Sequence, residues 1–457
     1  MRRPYSFLVP KDPLLSSQGL RMEIAVIGGG LAGVEAAYQI ARSGGAAILH
    51  EMRPTVTTPA HKSGLLGELV CSNSLKSMDL LNAHGLLKEE LRRLDSIIVR
   101  TADETSIPGG KALVVDRERF AAKLTEEIEN DPGIQVVRGE MTSIPDGVVV
   151  IASGPLTSDS LANEIGRLTN AGNLFFYDAI SPIVDAQSVD LESAFYASRY
   201  SKDETGDYLN CPLTGEEYDR FYDALISAER MELKDFENTS YFEGCLPVEV
   251  LAERGKKTLA FGPMKPVGLF DPRDGKRPYA VVQLRKENAS GNMLNLVGFQ
   301  TKMKYPEQER VFRMIPALRN AVFLRHGSIH RNTYVNAPLC LNERLQLKVN
   351  ERVFLAGQIT GVEGYMEATL MGLMAGISAI KAQRGDVFIP PPPSTCAGAL
   401  IRYLTTENKH FQPMNINFGL FEGYAKKTKE ISVERCLQDI EDWKTSIHNK
   451  KHLTPHS

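Results

Sequence analysis

Two kinds of chemistry are offered by this sequence: thiol nucleophiles and a glycine turn able to hold phosphate. Cys71 (in GELVCSNS) and Cys245 (in FEGCLPVE) stand in polar, glycine-flanked surroundings. A thiolate there is intrinsically nucleophilic and is populated near neutral pH. The other four cysteines read as structural. Cys340 (APLCL) suits a core, Cys211 a turn, Cys396 the stretch after a proline run and Cys436 a tail helix; a small buried hydrophobe is the usual fate of cysteine. Residues 24–33 read IAVIGGGLAG, an apolar run that breaks into Gly28-x-Gly30-x-x-Gly33. Gly28 permits the tight turn, Gly30 lets the backbone approach a pyrophosphate, and Gly33 lets the following helix lie close to the strand. With Gly29, Leu31 and Ala32 between them, they aim the first N–H groups of that helix at the anion. A second apolar stretch, AAILHE, ends in Glu51, 23 positions after Gly28. A carboxylate at that strand end can accept hydrogen bonds from a ribose.

The elements that position these groups follow in order. Strand, glycine turn, helix and second strand make a βαβ unit over residues 22–51, and helical spacing returns over residues 80–98. VVDRERFAAKLTEEIEN reads as a strand feeding a helix that stops at Pro132-Gly133. IQVVRGE and GVVVIASGP are two further strands. An apolar strand closing on Ala-Ser-Gly is how two-dinucleotide-binding flavoproteins leave the sheet beneath their cofactor. Between residues 186 and 320 the clean periodicity is lost and aromatics alternate with charges. The pattern resumes in RVFLAGQITGVEGYMEATLMGLMAGISAIKA, a buried strand, a Gly357/Gly361/Gly364 turn and a helix with small residues along one side. The predicted fold class is therefore α/β: a Rossmann-like FAD-binding domain, discontinuous over residues 22–185 and 321–422, with an inserted α+β domain at 186–320. Residues 1–21 read as a flexible extension and 423–457 as a helical tail, packed or solvated.

Composition narrows the classes. A net charge of −3 in 457 residues makes the molecule no polycation, so any nucleic acid must be held by a local basic face. Six cysteines without a paired framework fit free thiols in a reducing, cytoplasmic setting. No Cys/His spacing suits zinc, so no metal is expected. No apolar run reaches the ~18 residues that cross a bilayer, and the first 21 residues lack a secretory h-region.

Several segments together resemble the bacterial FAD- and folate-dependent tRNA (uracil-5-)-methyltransferase family. They are IAVIGGGLAGVEAAYQIA, HEMRP, GELVCSNSLKS, FEGCLPVEV, FGPMKPVGL, HRNTYVNAP, VFLAGQITGVEGYMEATLMGLMAG and FQPMNINFGL. GELVCSNSLKS and EGCLPVE are particular to that family; GQITGVEGY is shared with the related wobble-uridine-modifying flavoproteins. The N-terminal extension and the tail after Leu420 depart from the pattern.

The resemblance implies C5-methylation of the T-loop uridine U54, giving ribothymidine. Carbon would come from 5,10-methylenetetrahydrofolate and reducing equivalents from NAD(P)H through FAD. Cys245 would add to uracil C6, and Cys71 would assist as a base or as a thiol near the flavin. His330 (HRNTYVN) would face the folate, and Arg53, Gly357, Gln358, Gly361 and Glu363 would join the cofactor site. Alternatives are the same chemistry on ribosomal RNA, wobble-uridine modification, or a flavin-bearing RNA-binding protein without activity. No obligate protein partner is evident. Residues 285–331 carry nine Lys/Arg against three Glu, net +6, with Phe299, Tyr305 and Phe312 interleaved. Arg285, Lys286, Lys302 and Lys304 are accordingly expected to neutralise phosphate beside stacked bases.

Overall fold

The apolar run 23–27 forms a strand, Glu23–Ile27, with parallel partners on both sides, Ala46–Glu51 and Val149–Ile151. The computed structural model describes residues 23–58, 60–169, 174–199, 206–231, 246–409, 411–424, 427 and 429–449. Ile134–Arg138 extends the sheet beyond Ala46–Glu51, and Asn350–Leu355 extends it beyond Val149–Ile151, both parallel. The short strand Gln346–Leu347 adds an antiparallel edge, for six strands in all. Central parallel strands are covered on both faces, and Val149, Val150 and Ile151 are accordingly solvent-free. This sheet draws strands from both halves of the chain, as a discontinuous nucleotide-binding fold requires.

Two helices cover one face, Leu31–Arg42 after the glycine turn and Tyr365–Gln383 after the last parallel strand. A Cβ at Gly372 would lie 2.1 Å from the Ala32 carbonyl oxygen, and one at Gly376 2.7 Å from that of Ala36. The small residues foreseen along the later helix thus let the two backbones touch.

A second sheet, wholly antiparallel, runs in the order Phe195–Ala197, Tyr208–Leu213, Ala280–Lys286, Met293–Leu296, Ile183–Asp185 and Phe323–Arg325. Its core includes Phe221, Phe299 and Phe312, whose rings meet at centroid separations of 6.2 and 5.7 Å. Leu174–Ile180 and Ser328–Tyr334 pair antiparallel as a separate two-stranded sheet, with His330 opposite Asp178.

Two expectations are refined. Residues 80–98 do not make one helix: Ala83–Arg93 ends, Asp95 takes φ +58°, and Ile97–Glu104 begins afresh. Ser96 starts the second helix by accepting the Val99 N–H, and its hydroxyl donates to buried Glu35 at 2.6 Å. The tail helix Lys429–Asn449 is packed, burying Val433, Cys436, Ile440 and Trp443. Among the described residues no helix is long and apolar enough to cross a membrane. Residues 1–21 lie outside the described residues.

Candidate active site

The glycine turn builds the first wall of the site. Gly28 has φ +108°, and a Cβ there would lie 2.5 Å from the Ala152 carbonyl oxygen. A Cβ at Gly33 would come within 1.8 Å of the Gly28 oxygen, so helix and turn could not close. At Gly30, by contrast, a Cβ would meet nothing within 4 Å, and no side chain caps the helix that begins there. Uncapped N–H groups facing open space suit a pyrophosphate. The cleft above them is lined by Gly28, Gly29, Gly30, Leu31, Ala32, Glu51, Arg53 and the 152–158 turn. These residues fit the diphosphate and ribose of an FAD.

Glu51 is more engaged than its position at a strand end implies. One carboxylate oxygen accepts the Gly29 N–H at 2.8 Å and Arg53 Nη2 at 3.1 Å. The other accepts Arg53 N at 2.9 Å and Nε at 2.8 Å. Burial opposes its charge, but the hydrogen bonds and charge of Arg53 outweigh it and hold the carboxyl below the usual range. Arg53 is itself buried and reaches Glu68 at 3.2 Å. The pair therefore braces the turn from below.

A second cavity of about 630 Å³ adjoins the first, sharing Val70, Pro155, Leu156, Gln358 and Tyr365 with it. Cys71, His330, Gln358 and Glu363 line it, together with Asp178, Lys76 and His84. The loop carrying Cys71 is held from three directions. Tyr365 Oη accepts the Cys71 and Ser72 N–H groups at 2.8 and 3.1 Å. Arg117 donates to the Leu69 carbonyl at 2.6 Å and Arg325 to the Val70 carbonyl at 2.8 Å, which brings positive charge to the thiol's neighbourhood. Arg285 donates to Asn73 Oδ1 at 3.0 Å and Ser72 Oγ at 2.8 Å.

Burial and then the charges of Arg325 and Lys62 push the His330 imidazole down to about 4, so it is neutral near pH 7. Ser328 Oγ lies 2.9 Å from its Nε2. Burial, reinforced by the Asp178 carboxylate, pushes Glu363 up to about 8. Gln358 Nε2 donates to Glu363 Oε2 at 2.5 Å. Burial and then the nearby Cys71 sulfur raise Tyr365 above the usual phenol range. The cavity thus holds a thiol, a neutral imidazole and a carboxyl that keeps its proton near neutral pH.

Not every expected residue falls here. Gly357 and Gly361 are packing positions: at φ +77° and +91°, their Cβ atoms would meet Ala32 at 2.6 Å and the Phe411 ring at 2.5 Å. Neither lines the cavities. The proposed RNA-facing stretch needs correction as well. Arg285 is 6% exposed and spends its guanidinium on Ser72 and Asn73, so it is not available to phosphate. Phe299 and Phe312 are core residues; only Tyr305 of the three aromatics is exposed. Phe299 lies in the loop after Met293–Leu296, Tyr305 and Phe312 begin and end the helix Tyr305–Phe312, and the strand Ala280–Lys286 that carries Arg285 is buried along almost its whole length. Lys286 and Lys302 are half-buried, and Lys304 is exposed and paired with Glu229 at 2.9 Å. Cys245 lies outside the described residues; Val248, three positions on, donates its N–H to the carbonyl of Gln300 at 2.7 Å, and Gln300 lines the second cavity.

Sequence reasoning passed over Tyr365, Arg117 and Asp178, and counted Arg325 only as part of the basic stretch 285–331, whereas it holds the Val70 carbonyl. Tyr365 sits in the quoted GQITGVEGY segment, but its partner is 294 positions away. Another grouping joins residues far apart in sequence: Glu90, Cys396 and Cys436 are buried, with their potential ligand atoms within 4.8 Å of one another. Glu90 accepts the Cys396 and Ala397 N–H groups at 2.7 and 2.8 Å, which caps the helix Cys396–Thr405.

The comparisons with known proteins agree with the fold. The family profile for glucose inhibited division protein A matches residues 23–386. Methylenetetrahydrofolate--tRNA-(uracil-5-)-methyltransferase TrmFO of Syntrophus aciditrophicus (strain SB) is 53% identical over 429 residues, 92% of this chain and 97% of that one. The protein of that name from Heliobacterium modesticaldum is 55% identical over 428 residues, again 92% and 97%; that from Geobacter sulfurreducens is 54% identical over 431 residues, 93% and 99%. Among solved structures, Aquifex aeolicus GidA in its form II crystal superposes with a TM-score of 0.67 at 17% identity, over 94% of this chain and 77% of that one. That likeness carries the fold: a mixed α/β protein with a parallel, flavoprotein-type sheet. On sequence identity spanning nearly its whole described length, the chain belongs to the methylenetetrahydrofolate--tRNA-(uracil-5-)-methyltransferase TrmFO family.

Proposed function

We propose that this protein methylates C5 of a T-loop uridine, U54, in tRNA, with methylenetetrahydrofolate as carbon donor and NAD(P)H as reductant. The observation that carries the reading is the adjacency of the two cavities, which share a wall. The glycine cleft that suits FAD shares Gln358 and Tyr365 with a chamber lined by Cys71 and His330. Bound FAD would supply the one-carbon carriage and the electrons.

Uracil C5 is a poor nucleophile, and it lies inside a folded loop until the base is extruded. Addition of the Cys245 thiolate to C6 forms a C–S bond and places an electron pair at C5, which then bonds to the one-carbon unit. Cys71 takes the proton that leaves C5. The electron pair left by that proton expels the nitrogen that carried the one-carbon unit and leaves an exocyclic methylene on C5. Hydride derived from NAD(P)H adds to this methylene, and the Cys245 thiolate leaves C6 as the C5–C6 double bond re-forms. The anchoring of Val248 to Gln300 at the cavity wall supports a place for the Cys245 segment beside the base. His330, neutral near pH 7, offers a hydrogen-bonding face to a pterin without adding charge. Family membership and free thiols suit a cytoplasmic setting.

The test uses tRNA and ribosomal RNA transcripts side by side with methylenetetrahydrofolate and NAD(P)H, mapping 5-methyluridine by nuclease digestion and mass spectrometry. Methylation confined to the tRNA T-loop is expected. A 5-fluorouracil transcript should trap a covalent adduct with the wild type. An adduct that persists in Cys245→Ala would refute the assignment of the nucleophile.

A further inference from the structure

In the basic stretch singled out in the sequence, Arg285 is buried and Lys304, Arg310 and Arg313 are engaged in ion pairs, which directs attention to other basic surfaces for the RNA. The exposed large hydrophobic side chains offer a candidate. Phe261 is 79% exposed and Phe270 57%, and both lie in one segment, residues 254–279, with Val267 and Tyr279 also exposed. Single exposed hydrophobic side chains are ordinary, but four of them within one short segment mark a candidate contact surface. The same segment holds seven Lys/Arg (254, 256, 257, 265, 273, 276 and 277) against two acids, Asp271 and Asp274.

Its charges are only partly neutralised within the protein. Lys256 pairs with Asp219 at 2.9 Å, and Arg273 pairs with Asp271. Lys257, Lys265 and Lys276 make no ion pair among the described residues. The Arg277 guanidinium lies over the Phe270 ring at 5.5 Å, a platform that presents a cation and a π face together. The segment packs against the loop that leads to the second cavity. A Cβ at Gly298 would lie 2.9 Å from Pro263, and Gln300, two residues further on, lines that cavity. The helix Val248–Glu253 leads directly into it, and the helix's first N–H is held by the Gln300 carbonyl.

We infer that residues 254–279 form the docking surface for the tRNA, with Lys257, Lys276 and Arg277 on phosphates and Phe261 and Phe270 stacked on unpaired bases. The inference rests on the methyltransferase reading above and locates where its substrate is held. Unpaired cations beside exposed rings suit a folded RNA, whose loops present bases and phosphates together. A partner protein would be better served by an apolar centre with the charges at its rim.

The test compares the wild type with Lys257→Glu/Lys276→Glu/Arg277→Glu and with Phe261→Ser/Phe270→Ser. All act on exposed side chains, and each variant should keep the wild-type melting temperature and flavin absorption. Affinity for unmodified tRNA transcript is measured from 50 to 300 mM salt, roughly the range over which counterion release is resolved. The charge-reversed variant should lose at least about tenfold in affinity and about 2 to 3 in the slope of log K against log salt, at roughly 0.7 to 0.9 per phosphate contact. The aromatic variant should bind about fivefold to a hundredfold more weakly with an unchanged slope, the signature of lost stacking. Wild-type affinity and slope in both variants, with wild-type enzyme active on tRNA, would overturn the docking surface alone. A wild type that neither binds nor methylates tRNA would overturn the methyltransferase reading itself.

Discussion

The phenol oxygen of Tyr365 accepts the backbone N–H of Cys71 at 2.8 Å and that of Ser72 at 3.1 Å. Tyr365 opens the helix Tyr365–Gln383, whose glycines lie against Leu31–Arg42. The packing that shapes the nucleotide cleft therefore also sets the height of the thiol loop. Tyr365→Phe keeps the ring and removes the acceptor, leaving two N–H groups short of a partner at about 1–3 kcal/mol each. We expect kcat to fall about tenfold to a hundredfold, with FAD content unchanged. A wild-type kcat would show that the loop holds its place without the phenol.

Gly372→Ala tests the same contact from the other side. Its methyl would press on the Ala32 carbonyl, in the turn that cradles the pyrophosphate, from 2.1 Å. Overpacking of a rigid contact costs about 1–3 kcal/mol. Both the melting temperature and the fraction of protein purified with FAD should drop. Gly44→Ala, near only a flexible Arg384 side chain but at φ +79°, should cost strain without losing flavin.

His330 gives a prediction in acid. Because its folded value is lowered from 6.5 to about 4, its contribution to stability is full above pH 6.5 and is lost as pH falls through 4. His61 is pushed down to about 4 as well, by burial and then Arg53, and adds to the same window. In His330→Asn the drop in melting temperature between pH 7 and pH 4.5 should be smaller than in the wild type, roughly by half of the histidine part. Identical acid limbs in the two proteins would mean that His330 takes up its proton as readily in the folded state as in the unfolded one.

Glu363 behaves in the opposite sense. Its folded value is raised from 4.5 to about 8, so the stability it contributes is present below pH 4.5 and is lost as pH rises through 8. Glu363→Gln keeps the neutral shape beside Gln358 and never ionises. Its melting temperature relative to the wild type should therefore climb between pH 6 and pH 9. A difference that stays flat across that range would place the ionised carboxylate in the folded protein at neutral pH.

Much of the nucleotide-binding fold could be read from residue order because its signals are local. Gly28, Gly30 and Gly33 differ in what a Cβ would strike, and each sits where its spacing demands. The small-residue helix after Gly364 is legible for the same reason: only glycine and alanine permit two backbones to meet. Residues 80–98 were less readable, since helical spacing continues across a break made by Asp95 and Ser96, and Ser96 is bound there to a distant glutamate, Glu35.

The basic stretch 285–331 shows the limit most clearly. Net charge along a sequence does not say which cations face water, and strand pairing turned Arg285 inward onto Ser72 and Asn73 while Phe299 and Phe312 entered the core. The amino-acid order by itself determined the glycine cradle, the two-part α/β layout and the family whose motifs this chain carries. Tertiary structure alone decided that Cys71, His330, Gln358 and Glu363 line one chamber, that Tyr365 and two arginines hold the thiol loop, and which aromatic and basic residues are left exposed. Steric demands of a turn act between neighbours, whereas burial and electrostatic surroundings are properties of segments hundreds of residues apart that meet only once the chain has folded.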